Sequence, residues 1–381
     1  MTSSDDGQNE YKNFCFTANL IKTTHIYKDE IVAYLHFLAQ KYLHNFMDFD
    51  SFKKELVTNI LLYQRIIIDK IFKLYENTNP VEVKIITKEF WNSLSFLGDI
   101  STIETPLNLQ KNDFFVIKVT FKNKRRSQED RSCTVHDLLL LNNRKNLFHD
   151  PILMLGVFDG HGGAHASQYL SIFCPWNVSK EITDLFESKD YSIESLSKCL
   201  SRTLKNMNET YMSRYSDMTC GSTVNFCLRY NNCLIFLNIG DSQSYIINKD
   251  GTFVNTTPLL HNLSVESERR YSISKGAKIS KSLDGCYRLN ARFCLSRSFG
   301  NIEFHDYLNP EPDIIIHQLN GNEKYVVLGT DGFWEDTNIE IFSAKLSALD
   351  SEESSKTCLE DFASDVKSKT ADNVTVLVAK I

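Results

Sequence analysis

The sequence predicts an α+β protein with antiparallel sheets, preceded by a smaller all-helical module. Three observations carry this. Strand-like runs are separated by very short turn signals, Asn231-Asn232 and Lys249-Asp250-Gly251, and links that short force antiparallel pairing. Helical patterns fall in blocks between the strands rather than alternating one for one, which disfavours a doubly wound sheet. The hydrophobic period changes abruptly near Phe114, from helical to alternating.

In chain order, residues 1–22 read as a flexible N-terminus, whose opening MTSSDDGQNEYKN is polar and acidic, with neither signal- nor transit-peptide character. Residues 23–98 read as a helical module. Ile31, Leu35, Leu38, Tyr42 and Phe46 form one stripe, and Asp50 caps a second that runs from Phe52 through Leu56 and Ile60 to Leu74. Asn79-Pro80 opens a third, carrying Val81, Ile85, Trp91 and Leu94. These stripes must be buried within the chain or against a docked partner. Residues 99–112, with Pro106, read as a linker, and 113–381 as the main domain.

Within that domain the expected strands are Phe114–Phe121, Ile152–Phe158, Ser222–Arg229, Cys233–Ile239, Gln243–Asn248, Phe253–Thr256, Tyr325–Gly329 and Asn373–Ile381. The expected helices are Ala164–Phe173, Ile193–Tyr215, Ser264–Lys275, Asn338–Leu349 and Ser355–Lys369, with Asp350–Ser355 a solvated loop.

Composition narrows the functional class. The 381 residues carry a net charge of −6, so nothing basic invites nucleic acid. No apolar run reaches the ~20 residues that span a bilayer. The ten cysteines are scattered without CxxC spacing, so they read as reduced thiols in a cytosolic or nuclear protein.

The chemistry lies in a recurrence of acids at strand ends. Asp159 follows LMLGVF, Asp241 follows LIFLNIG, Asp331 follows YVVLGT, and Asp372 immediately precedes the last strand. Glu129-Asp130 sits after the first strand, beside Arg125-Arg126. Gly160, Gly240 and Gly332 adjoin three of these acids, and glycine lets a backbone approach an ion and lend it a carbonyl. If the strand ends meet, the carboxylates crowd, their pKa values rise, and divalent cations relieve the strain. An all-oxygen set with one nearby histidine, His161, favours Mg²⁺ or Mn²⁺ over zinc or copper.

RRSQED (125–130), VFDGHGG (157–163), GST (221–223), IGDS (239–242), LSRSFGN (295–301), LGTDGFWE (328–335) and ADNVTV (371–376) occur in that order. Together they resemble the motifs of the metal-dependent Ser/Thr protein phosphatases of type 2C. The resemblance covers residues 113–381. It implies a central antiparallel β-sandwich flanked by helices, and hydrolysis of phosphoserine and phosphothreonine by direct attack of a metal-bridging water. It implies two Mg²⁺ or Mn²⁺ ions and a weaker third. By motif match, Asp159 bridges, Gly160 lends its carbonyl, Asp331 and Asp372 ligate, Glu129 and Asp130 stand close by, and Asp241 serves the third ion. Arg125 matches the arginine that grips phosphate, and His161 the proposed general acid. Phosphoproteins, protein kinases among them, are the implied substrates. Gln128-Glu129-Asp130 and Gln243 look most like the subgroup containing the animal phosphatases of calmodulin-dependent and p21-activated kinases and the nematode sex-determining phosphatase.

Three departures stand out. Ala291 replaces a flap glycine, Asn301 stands where Asp usually follows Phe-Gly, and His261-Asn262-Leu263 reduces a His-(Lys/Arg)-Pro element. The competing reading is a pseudophosphatase or scaffold that binds phosphoproteins without turnover. Pseudoenzymes usually lose ligands, whereas Asp130, Asp159, Asp241, Asp331 and Asp372 are all present.

Overall fold

The computed structural model describes residues 115–135, 138–139, 151–216, 219–282 and 285–381. The chain divides into two units, Met1–Gln110 and Lys111–Ile381, and every described residue lies in the second. The predicted flexible segment, helical module and linker lie outside the described residues.

Two antiparallel five-stranded sheets form the centre. The first runs β1 (Val116–Phe121), β15 (Val374–Lys380), β14 (Glu323–Gly329), β8 (Gln243–Asn248) and β9 (Phe253–Asn255). The second runs β13 (Asp313–Gln318), β7 (Cys233–Ile239), β6 (Val224–Tyr230), β3 (Leu153–Phe158) and β2 (Arg131–Val135). Both turn signals close hairpins as expected. Tyr230 pairs with Cys233 across Asn231-Asn232, and Ile247 pairs with Phe253 across the Lys249–Gly251 turn. Asn231 and Gly251 take positive φ, 50° and 83°, as tight hairpin loops require.

The sheets sandwich one apolar layer. Leu155, Val157 and Phe236 meet Ile246, Val326, Leu328 and Leu377 there. The opposite face of the first sheet is buried too. Tyr325, Val327, Val376 and Val378 pack with Phe342, Leu346, Leu359 and Val366 of α5 (Ile339–Ser347) and α6 (Glu352–Lys369). A strand covered on both faces needs no polar alternation, which is why YVVLG reads as a continuous apolar run. Each such side chain contributes about 1.5–3 kcal/mol.

Two expectations are corrected. The helix expected to stop at Phe173 continues as α1 (His165–Glu187), through Pro175. Proline inside a helix costs about 3 kcal/mol. Beyond it Val178, Ile182 and Phe186 are buried, which offsets that cost. The Asp350–Ser355 loop is in fact a helix start. Ser351 Oγ accepts from Ser354 N–H at 3.1 Å, and Glu352 and Glu353 occupy the first turn of α6, where acids suit the helix dipole. The helix α2 (Ile193–Arg214) forms as expected, and α3 (Glu266–Ser274) is a turn shorter than expected.

Short elements were not expected. The strands β4 (Gly160–His161), β5 (Gly221–Ser222) and β12 (Phe299–Gly300) form a small sheet. A flap hairpin pairs β10 (Ile279–Lys281) with β11 (Tyr287–Leu289), and α4 (Asp331–Trp334) begins on an acid. Two- and three-residue strands leave no periodicity to read. The nine cysteines among the described residues are all free, and no described helix is long and apolar enough to cross a membrane.

Candidate metal and phosphate site

Strand register brings the acids together. In the second sheet Phe158, the last residue of β3, pairs with Arg131, the first of β2, so Asp159 and Glu129-Asp130 share an edge. Val224 pairs with Ile239, which brings the end of β7 to the same edge. Gly240-Asp241-Ser242 then crosses to the first sheet. There Gly329 pairs with both Gln243 and Val376, so the start of β8, the end of β14 and the start of β15 coincide. Asp241, Asp331 and Asp372 flank these three points.

Local chemistry fixes each loop. Asp159 N–H donates to Thr223 Oγ1 at 3.0 Å, and Thr223 N–H returns a bond to the Asp159 carbonyl at 2.9 Å. The same hydroxyl is 2.8 Å from Ser242 Oγ, tying the Asp159 and Asp241 loops together. Gly160 is required by space as well as by any role for its carbonyl. A Cβ there would lie 2.4 Å from the Glu129 carbonyl oxygen and 2.6 Å from Ser167 Oγ. At Gly332 a Cβ would lie 2.0 Å from the Asn373 carbonyl oxygen, so only glycine lets Asp331 sit against the Asp372 loop. Asn373 Nδ2 donates to the Lys122 and Ser127 carbonyls, and its Oδ1 accepts from Glu129 N–H at 2.8 Å. The sequence marks Gly332 as a glycine beside an acid, but it does not single out Asn373 as a positioning residue, although Asn373 stands inside a quoted motif.

Asp159, Asp241, Asp331, Asp372, Glu129, Arg125 and His161 all line one cleft of about 610 Å³. Asp130 lies beneath it, buried, accepting from Thr330 Oγ1 at 3.0 Å. Burial pushes its carboxyl up to about 7, and Asp331 and Asp372 add to the push. Asp159 is half-buried yet closely surrounded by protein atoms. Burial, then Asp331, Asp130 and Asp241, hold it well above the usual carboxylate range. Asp241 rises likewise through burial and the neighbouring Asp331. Asp331 rises through burial, while a hydrogen bond with Asp159 pulls it back.

Arg125 donates from a terminal guanidinium nitrogen to Asp372 Oδ2 at 2.5 Å. Burial works against its charge, but the Asp372, Asp159 and Asp331 carboxylates outweigh it and raise its pKa. Among the described residues no three His, Cys, Asp or Glu side chains converge as ready-made metal ligands; the carboxylates meet one another and Arg125. The donor set nonetheless fits a hard divalent cation. It is all oxygen, and its members resist ionising together, which a cation would reverse.

His161 sits on β4, with Nε2 2.7 Å from Asn301 Oδ1. The Asn301 amide nitrogen faces the Thr219 carbonyl at 3.3 Å, and Ser298 Oγ donates to Oδ1, so Oδ1 is the acceptor and Nε2 carries the hydrogen. Burial lowers the imidazole pKa, with Asn301 and Glu129 partly opposing. Asn301, noted in the sequence only as a departure, is thus the partner of His161. Gly221 makes room for the pair, since a Cβ there would lie 1.9 Å from Asn301 Oδ1. Ala291 takes φ 59°, the region where the expected glycine would be relaxed.

Residues 119–343 match the family model described as Protein phosphatase 2C. The chain is 26% identical over 265 residues to probable protein phosphatase 2C 7 of Oryza sativa subsp. japonica, covering 68% of this chain and 64% of that protein. It is 26% identical to Bos taurus protein phosphatase 1L, covering 57% of this chain and 58% of that one. It is 24% identical to Homo sapiens protein phosphatase 1E, covering 80% and 39%. The chain thus spans less than two thirds of the length of each of these relatives. Among solved structures, a C. elegans sex-determining protein matches with TM-score 0.63 at 21% identity, covering 98% of this chain and 88% of that one. Serine-threonine phosphatase 2C from Toxoplasma gondii matches with TM-score 0.59 at 18% identity, covering 70% and 94%. Both likenesses bear on the fold.

Proposed function

The chain belongs to the protein phosphatase 2C family, and from that membership we propose that it hydrolyses phosphoserine and phosphothreonine in proteins with bound Mg²⁺ or Mn²⁺. The observation that carries the reading is the convergence of Asp159, Asp241, Asp331 and Asp372 from separate strand ends onto one cleft that also holds Arg125 and His161. Asp159, Asp331 and Asp372 with the Gly160 carbonyl would hold two ions, Asp241 a weaker third, and Glu129 and Asp130 would support them. Bound there, the ions supply Lewis acidity and the positive charge that lets these carboxylates ionise together.

The chain's own groups do the rest. Arg125 exchanges Asp372 for phosphate oxygens, to which its planar fork is matched. Because Asn301 holds Nε2–H, the proton that His161 delivers to the departing Ser or Thr oxygen is the one on Nδ1 of its imidazolium form. Phe293 packs on the His161 ring at 5.3 Å between centroids. The substrates this reading expects are phosphoproteins of the cytosol or nucleus, protein kinases among them. Docking of a partner by residues 23–98 is an expectation from the sequence alone.

Hydrolysis of a phosphothreonine peptide by wild type, Asp159→Asn and Asp331→Asn, with Mn²⁺ and with chelator, tests the reading. Turnover should require Mn²⁺ and fall by orders of magnitude in both variants. Equal rates in the variants would dismiss the site. A folded wild type inert with every divalent ion would favour the pseudophosphatase reading.

A further inference from the structure

The flap wall of the cleft carries charge that the proposed chemistry does not use. Between Ser264 and Phe304 the sequence holds eight Lys and Arg against four Asp and Glu, in a chain of net charge −6. Two of these cations, Arg288 and Arg292, line the same cleft as its acids. They flank the tip of one hairpin. Leu289 and Phe293 exchange backbone hydrogen bonds, and Asn290 and Ala291 between them take φ 50° and 59°.

That tip is seated against the reacting centre. The Phe293 ring lies 5.3 Å from His161 and stacks on Phe304 at 4.9 Å. Arg292 therefore stands one residue from the ring that packs on His161. Its guanidinium sits 5.8 Å from the Phe304 ring and donates to Glu303 Oε2 at 3.1 Å. This ion pair is exposed, with 68% of the Arg292 side chain in solvent, so it is weak and exchangeable. Arg288 is steadied by Ser282 Oγ, which its Nε approaches at 3.2 Å.

We propose that Arg288 and Arg292 select phosphopeptides carrying a second anionic group, an acidic side chain or a second phosphate, beside the phosphate to be removed. The proposal rests on the phosphatase reading above. Glu303 is then an internal competitor, occupying Arg292 until a substrate anion takes its place. A guanidinium fork binds a carboxylate bidentately and a phosphate more strongly still.

The test measures kcat/KM with Mn²⁺ for three phosphothreonine peptides. One carries Glu at the flanking positions, one carries Lys, and one carries a second phosphothreonine. Hydrolysis of p-nitrophenyl phosphate by wild type is the control. Wild type should prefer the Glu peptide over the Lys peptide by about fivefold, and the doubly phosphorylated peptide by about tenfold or more. In Arg288→Ala/Arg292→Ala both ratios should fall towards one. Each ratio compares two peptides on one variant, so any general loss of rate cancels. Glu303→Gln should raise both ratios. Preference for the second phosphate alone would narrow the ligand to phosphate, and preference for Glu alone to carboxylate. Ratios near one in wild type, or ratios unchanged in the double variant, overturn the proposal. Failure on p-nitrophenyl phosphate as well as on all peptides would instead remove the phosphatase reading and this inference with it.

Discussion

Asp130 offers a direct measure of what the acidic cluster does to the fold. It is 4% exposed, and its carboxyl is pushed from 3.8 to about 7, with burial the largest cause. The folded pKa lies above the unfolded one, so the folded state binds the proton more tightly. Stability from this group is full below about pH 4, falls as pH rises, and is lost above about pH 7. At 1.36 kcal/mol per pKa unit the whole shift amounts to at most about 4 kcal/mol, of which roughly 2–3 kcal/mol falls between pH 5 and pH 8. Asp130→Asn removes the ionisation and keeps an oxygen to accept from Thr330 Oγ1. In chelator, the variant should therefore gain on wild type by roughly 2–3 kcal/mol from pH 5 to pH 8. For a domain of this size that is on the order of 5–10 °C in Tm. Urea or thermal unfolding across that range reads it directly. Mn²⁺ should stabilise wild type at pH 8 more than Asp130→Asn. Parallel pH profiles for the two proteins, or a variant less stable at pH 8, would refute the argument that uncompensated acids strain this end of the sandwich.

Two further outcomes follow from the site. His161→Ala should slow phosphopeptide hydrolysis by about 10²–10⁴-fold and p-nitrophenyl phosphate hydrolysis far less, because an acidic leaving group needs no proton; equal losses on both would remove the general-acid role. Ala291→Gly should stabilise the folded protein by about 0.5–1 kcal/mol in denaturant unfolding, since residue 291 sits at φ 59° where a Cβ is strained; a loss of stability would mean the flap tip is not held in that turn.

The sandwich was legible where burial and turn chemistry are local. Asn231-Asn232 and Lys249–Gly251 announce hairpins, and runs such as YVVLG and LIFLNI announce strands covered on both faces. The helix through Pro175 was not legible, because propensity stops at the proline while burial of Val178, Ile182 and Phe186 carries the helix on. The flap hairpin was missed because three-residue strands show no period. Asp159, Asp241, Asp331 and Asp372 could be picked out as acids at strand ends, and the order of the motifs supplied their expected roles.

By itself the sequence determined the class of fold, the ends at which acids stand, and the oxygen-only character of the donor set. These follow from period, turn residues and side-chain chemistry, all of which are local. Only the tertiary structure decided that the ends coincide, because register between strands far apart in the chain places Gly329 beside both Gln243 and Val376. It also decided that Asp130 is buried beneath the cleft rather than lining it, and that Asn301 holds Nε2 of His161. It decided too that the flap tip brings Arg288 and Arg292 to the cleft that holds the acids. Each of these depends on contacts between residues too far apart in the chain for any local pattern to register.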